Sequence, residues 1–202
     1  MPSLPHKPII QPPESQADEA GDYSSEERGL LLHLAHDAIA FLALGRKLDF
    51  EPPGGHLQES RGVFTTLYLH GELRGCVGYV LPVLPLFQAV VETARAAASQ
   101  DTRFTPVTAE EVQHLQVSLS VLSPLRPIEA EQIEIGKHGL VVTLGGRRGL
   151  LLPQVPVEHG WDRVAFLEQT CRKAGLFPDA WKAGVTLEVF TAEVFGDPDL
   201  PA

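Results

Sequence analysis

The sequence predicts an α+β domain: a mainly antiparallel sheet flanked by helices, with a smaller helical lobe. Three observations lead there. Leu115, Val117, Leu119 and Val121 alternate with Gln116, Ser118 and Ser120, the period-2 pattern of a half-buried strand. Two runs, from Leu31 and from Leu86, repeat apolar residues at the three-and-four spacing of a helix. Turn signals join strand-like runs as hairpins, without the regular strand–helix alternation of a parallel sheet.

Residues 1 to 22 are rich in Pro, Gln, Glu and Asp and have no apolar period. A flexible tail is expected there, ahead of a single domain over residues 23–198 whose two lobes would share a cleft. Ser24 and Glu27 form a capping-box pattern. Leu31, Leu34, Ala35, Ala38 and Leu42 then give one apolar helix face, and Gly45 is a natural stop. Pro52-Pro53-Gly54-Gly55 makes a loop of residues 49–60. Val63 to Leu69 is rich in β-branched and aromatic residues, as a strand should be, and His70-Gly71-Glu72 turns the chain into a second strand from Leu73.

Pro85 suits a first helical turn, and Leu86, Ala89, Val90, Thr93 and Ala97 form the buried face that follows. Thr108 and Glu111 repeat the capping-box pattern ahead of a short helix. Pro124 and Pro127 end the alternating strand. Leu140 to Leu144 and Gly149 to Leu152 flank Gly145-Gly146 as a hairpin. Val164, Leu167, Cys171 and Ala174 recur at helical spacing before Gly175, and Val185, Leu187 and Val189 alternate in a last strand.

Composition bounds the function. With 44% hydrophobic residues in 202, a real core can form. Lys plus Arg number 16 against 26 Asp plus Glu, a net charge of -10 with no basic cluster, so no nucleic-acid partner is expected. No apolar run reaches the roughly 18 residues of a membrane span, and the early prolines do not fit a signal peptide, so the expected location is cytoplasmic, without membrane contact. Cys76 and Cys171 are the two cysteines; they make no C-x-x-C pair and cannot alone build a structural zinc site. His33 and His36 lack a carboxylate–histidine signature, so no metal site is predicted, and the glycine-rich pieces match neither strong nucleotide-binding fingerprint. The residues name no cofactor.

The stretch His70-Gly71-Glu72-Leu73-Arg74-Gly75-Cys76-Val77-Gly78-Tyr79 concentrates the candidates. Gly75 and Gly78 let a ligand approach the backbone. On a regular strand Arg74 and Cys76 would share a face, where the guanidinium favours a thiolate. Cys76 equally suits a small core position, as Cys171 does on its helix. Asp101 and Arg103 flank a turn that they either pair across or offer to a polar ligand. His138 stands at the mouth of a strand, where it would serve as base to a thiol or cap its loop, and Lys137 beside it offers an anion contact.

Several segments together resemble the AMMECR1-domain family, in the small bacterial and archaeal form of the AmmeMemoRadiSam system. They are Leu73-Arg74-Gly75-Cys76-Val77-Gly78, Asp101-Thr102-Arg103-Phe104-Thr105-Pro106, Val117 to Leu122, Gly136-Lys137-His138-Gly139-Leu140, Leu151-Leu152-Pro153-Gln154-Val155, Trp161 and Cys171 to Leu176. They span roughly residues 26 to 196 in order, and the one departure from the family's central L-R-G-C-I-G is Val77 for isoleucine. The resemblance implies a larger sheet-containing part with a smaller helical part. It also implies a pathway shared with a Memo-like protein and a radical-SAM protein. Two distant cysteines do not suit an iron–sulfur cluster in this chain.

Two function classes follow. In one, the chain is an accessory or binding protein whose groove, lined by Arg74, Gly75, Cys76, Gly78, Asp101, Arg103, Lys137 and His138, takes a partner segment or a small anionic ligand. In the other, Cys76 with His138 forms a cysteine-dependent transferase or hydrolase, which requires the imidazole within hydrogen-bond reach of the sulfur.

Overall fold

The computed structural model describes residues 22–182, 184–198 and 200; the tail expected over residues 1 to 22 lies, apart from Asp22, outside the described residues. The described chain is α+β, with two four-stranded antiparallel sheets. In the first, β1 (Val63–Leu69), β2 (Glu72–Tyr79), β3 (Leu115–Leu122) and β8 (Ala192–Gly196) are ordered β2-β1-β3-β8. In the second, β4 (Arg126–Pro127), β5 (Gly139–Leu144), β6 (Arg147–Leu151) and β7 (Thr186–Phe190) are ordered β4-β7-β5-β6. Periodicity located most of these strands but not their division between two sheets, which depends on where the chain crosses.

It crosses twice, at Ser123 between β3 and β4 and at Thr191 between β7 and β8. The two crossings are tied together: the Ser123 amide donates to the Thr191 carbonyl (2.9 Å), and the Thr191 amide donates to the Ser123 hydroxyl (3.0 Å). Leu122, Val141 and Phe190 form a small apolar cluster at this junction, with Phe64 and Leu152 against it.

Helices α1 (Ser25–Ala43) and α2 (Leu86–Ser99) cover one face of the first sheet. The Ser24–Glu27 capping box is formed in both directions, and α1 buries Leu31, Leu34, Ala35, Ala38 and Ile39. Helix α2 buries the face that its spacing predicts and presents Thr93 to β1. There the Thr65 and Thr93 hydroxyls lie 2.8 Å apart, and Thr93 also donates to the Ala89 carbonyl, so both buried hydroxyls are satisfied. The short helix expected after Thr108 is a single 3-10 turn (Val112–His114), because β3 begins at Leu115. In the smaller lobe, α3 (Gln154–Glu158) and α4 (Arg163–Lys173) accompany the second sheet, and Cys171 is buried in its core. No helix among the described residues is long and apolar enough to cross a membrane.

Candidate functional site

The β1–β2 hairpin builds the site. Its two-residue loop, His70-Gly71, has positive φ at both positions (53° and 83°), as a tight hairpin turn requires. Leu69 pairs with Glu72 and Tyr68 with Leu73, but Leu67 pairs with Gly75, so Arg74 is the extra residue of a β-bulge. The regular strand expected through Arg74 and Cys76 is therefore interrupted. A bulge bends the strand and re-aims a side chain, and here the Arg74 guanidinium leaves the alternation for the segment beyond the sheet edge.

Arg74 there makes a fork-to-fork pair with Glu111, Nε to Oε1 at 2.9 Å and a terminal nitrogen to Oε2 at 3.0 Å, and it donates to the Thr105 and Pro106 carbonyls. Its side chain is only 12% exposed. Glu111 also accepts from the Thr108 amide, so its carboxyl is held below the ordinary range, first by Arg74 and then by that amide. One turn of strand further on, the Cys76 amide donates to Asp101 Oδ2 (2.9 Å). Asp101 is also gripped by Arg103 through two side-chain bonds (3.0 and 2.7 Å). These bonds, Arg103 first and the Cys76 amide second, keep the Asp101 carboxyl far below the usual carboxylate range. The guanidiniums of Arg74 and Arg103 both approach the Phe104 ring, at 6.0 and 5.5 Å from its centroid. The edge strand β2 is thereby stapled to residues 101–111 at two points.

Gly75 and Gly78 are needed for close packing. A Cβ at Gly75 would run into the α2 backbone at Ala97, and one at Gly78 into the Val63 carbonyl and the Phe64 ring. Cys76 thus faces away from the helices. Cys76 pairs with Thr66, and Thr66 with Ser118, so thiol and hydroxyls form a row across three strands on that face. The Thr66 hydroxyl donates to Sγ at 3.2 Å, and Cys76 is half-buried. The Arg103 side chain is 56% exposed, and its pKa is raised, first by the hydrogen bonds to Asp101 and last by the nearby Cys76.

Lys137 and His138 are elsewhere. Lys137 lines a cleft of about 320 Å³ with Gln154, Val157 and Val194. Val194 belongs to β8, three strands from β2, which strand spacing alone makes about 14 Å. His138 is 1% exposed, with Nδ1 3.1 Å from the Glu134 amide and Nε2 3.0 Å from an Arg126 terminal nitrogen. The fold therefore assembles Arg74, Gly75, Cys76, Gly78, Asp101 and Arg103 but does not bring His138 to Cys76. The imidazole holds its own turn, and Lys137 pairs with Glu134 (2.9 Å). Among the described residues no group of three or more His, Cys, Asp or Glu could hold a metal ion.

Both neighbours of His138 are donors, so the neutral ring satisfies one of them and an imidazolium neither. Its pKa is accordingly lowered, by burial first, then by Arg126, with Lys137 adding and Glu134 opposing. A histidine with a depressed folded pKa contributes stability that is present above its unfolded value of 6.5 and is lost as pH falls below it. Urea denaturation is expected to show lower stability at pH 5.5 than at pH 7.5. His138→Asn, which keeps an acceptor for the Glu134 amide, should flatten that dependence; an unchanged slope would remove His138 as its source.

Thr66 and Glu111 are the site residues that sequence reading does not reach. Thr66 is one of several strand threonines, and Glu111 reads as a helix cap. Only the bulge and the strand register make them neighbours of Cys76 and Arg74.

Over the described residues, the fold and the stapled edge strand define an α+β protein of two antiparallel sheets and four helices, with an Arg-Gly-Cys bulge at the edge of the first sheet. The AMMECR1 family model matches residues 32–195, and the chain belongs to that family. Protein MK0488 of Methanopyrus kandleri is 46% identical over 182 residues, covering 84% of this chain and 88% of that protein. Protein MJ0810 of Methanocaldococcus jannaschii is 42% identical over 180 residues, covering 84% and 90%. The crystal structure of the uncharacterized protein PH0010 from Pyrococcus horikoshii is similar with a TM-score of 0.70 at 42% identity, covering 84% of this chain and 90% of that one.

Proposed function

We propose that this chain is a binding component of a modification pathway shared with a Memo-like and a radical-SAM protein, and that the stapled β2 edge recognises a partner segment or a small anionic ligand. One observation carries the reading. The charged groups around the central motif are engaged in fixing residues 101–111 to the strand, through Arg74 with Glu111 and through Asp101 with the Cys76 amide. What remains for a ligand is the half-buried Cys76–Thr66 pair, with the buried Ser118 behind it in the row, and the exposed end of Arg103. Such a surface binds by shape, hydrogen bonding and one cation.

The second reading, a cysteine-dependent transferase or hydrolase, has the Thr66 hydroxyl on the sulfur and Arg103 nearby in its favour. Its proton acceptor would have to be a group other than His138, and among the described residues Thr66 is the thiol's one hydrogen-bond partner.

Pull-down with the two pathway proteins under reducing conditions tests the binding reading. Arg103→Ala is expected to weaken capture about tenfold, the value of one charge-assisted contact, and alkylation of Cys76 should block it. Capture of neither protein, or capture indifferent to both changes, would overturn the proposal. Cys76→Ser separates the two readings, since binding survives it whereas covalent turnover does not.

A further inference from the structure

Val77 and Tyr79 take the side of β2 opposite Cys76. There they floor a groove of about 730 Å³ along the seam with α2, with Phe50 and Val91 as walls. That volume lies within the range of small-molecule sites, and an apolar floor with a few rim charges is their usual make-up. Glu92 and Arg95 supply the rim charges from the exposed side of α2, and neither side chain has an ion-pair partner among the described residues. The Tyr79 hydroxyl is buried without a hydrogen-bond partner among the described residues. Burial, and secondarily the charge of Glu92, push it up to about 12. The carboxylate of Glu92 thus acts on the Tyr79 end of an apolar floor, with Arg95 one helical turn along the rim.

We infer that this groove binds an organic cation, an amine whose apolar body lies on Phe50, Tyr79 and Val91 and whose ammonium meets Glu92. Ring faces attract an ammonium within about 6 Å, and a carboxylate beside them adds a charge-assisted hydrogen bond. An anionic ligand finds only Arg95, at a different point of the rim, and must approach a chain of net charge -10 that concentrates cations instead. The groove is on the other side of β2 from the Cys76 row, so this inference stands independently of the pathway reading.

Tryptamine and indole-3-propionate, which share an indole and differ in the sign of the terminal charge, test it on the full chain by calorimetric titration. Tryptamine is expected to bind saturably and about tenfold or more tighter than the acid. Glu92→Gln, at an exposed helix position where the fold is not at stake, should abolish that preference, while Lys173→Ala, at an exposed position of α4 outside the groove, should leave it unchanged. Equal binding of the two probes, no saturable tryptamine binding, or a preference that survives Glu92→Gln would overturn the inference.

Discussion

Arg74→Ala is expected to lower the stability of the folded chain by about 3 kcal/mol, the cost of breaking a largely buried ion pair and leaving one partner behind. For a domain of this size that is roughly a 10 °C fall in melting temperature. The lost interactions are the fork-to-fork pair with Glu111 and the bonds to the Thr105 and Pro106 carbonyls. Alanine leaves the Glu111 carboxylate, only 24% exposed beside the intact arginine, with Thr108 as its remaining partner. Arg74→Lys keeps the charge but cannot reproduce two parallel bonds and two carbonyl contacts, so it should recover little. The same pair makes stability depend on acid. Glu111 has a depressed carboxyl, so its contribution is present above about pH 4.5 and is lost as pH falls through its folded value. In Arg74→Ala most of that component should vanish, and limited proteolysis should begin to cut between residues 101 and 111. A melting temperature within a degree or two of wild type would show that the segment is held to β2 by other contacts.

How far the sequence led is clearest at this same bulge. The hairpin, its two-residue turn and the alternating strand β3 were legible because period and turn chemistry are local properties. The special character of residues 73–78 was legible too, from glycines that the pattern does not otherwise need. Alternation, however, assumes a regular strand, and whether Arg74 keeps its place in the ladder is decided by its partner strand and by Glu111, which stands 37 residues away. The pairing of His138 with Cys76 failed for a related reason. Residue types advertise chemistry, but here the turn before β5 opens the second sheet while β2 edges the first. His138 is placed there as a fully buried acceptor between two donors, a role that an exposed-looking Gly-Lys-His-Gly string does not announce.

Gly75→Ala is expected to be at least as damaging for its size as any truncation in the core, at about 2–4 kcal/mol by denaturant titration, near or above the usual range for overpacking. The added methyl meets the carbonyl group of Ala97, which is helix backbone, so no rotamer change can relieve it. Either β2 moves off α2, which strains the bulge and both staples, or α2 shifts within the core of the larger lobe. Gly139 provides the control. A methyl there meets the ring of Phe190, a side chain that a second substitution can shorten. Gly139→Ala should therefore be partly rescued by Phe190→Leu, with a favourable coupling in the double-mutant cycle, because the smaller side chain removes the clash as it removes packing. Gly75→Ala should show no rescue from Ala97→Gly, since the obstructing atoms remain. If trimming Ala97 does restore stability, the strand and helix are less tightly apposed than their backbones imply, and the precise placement of Cys76 and Arg74 does not depend on that contact.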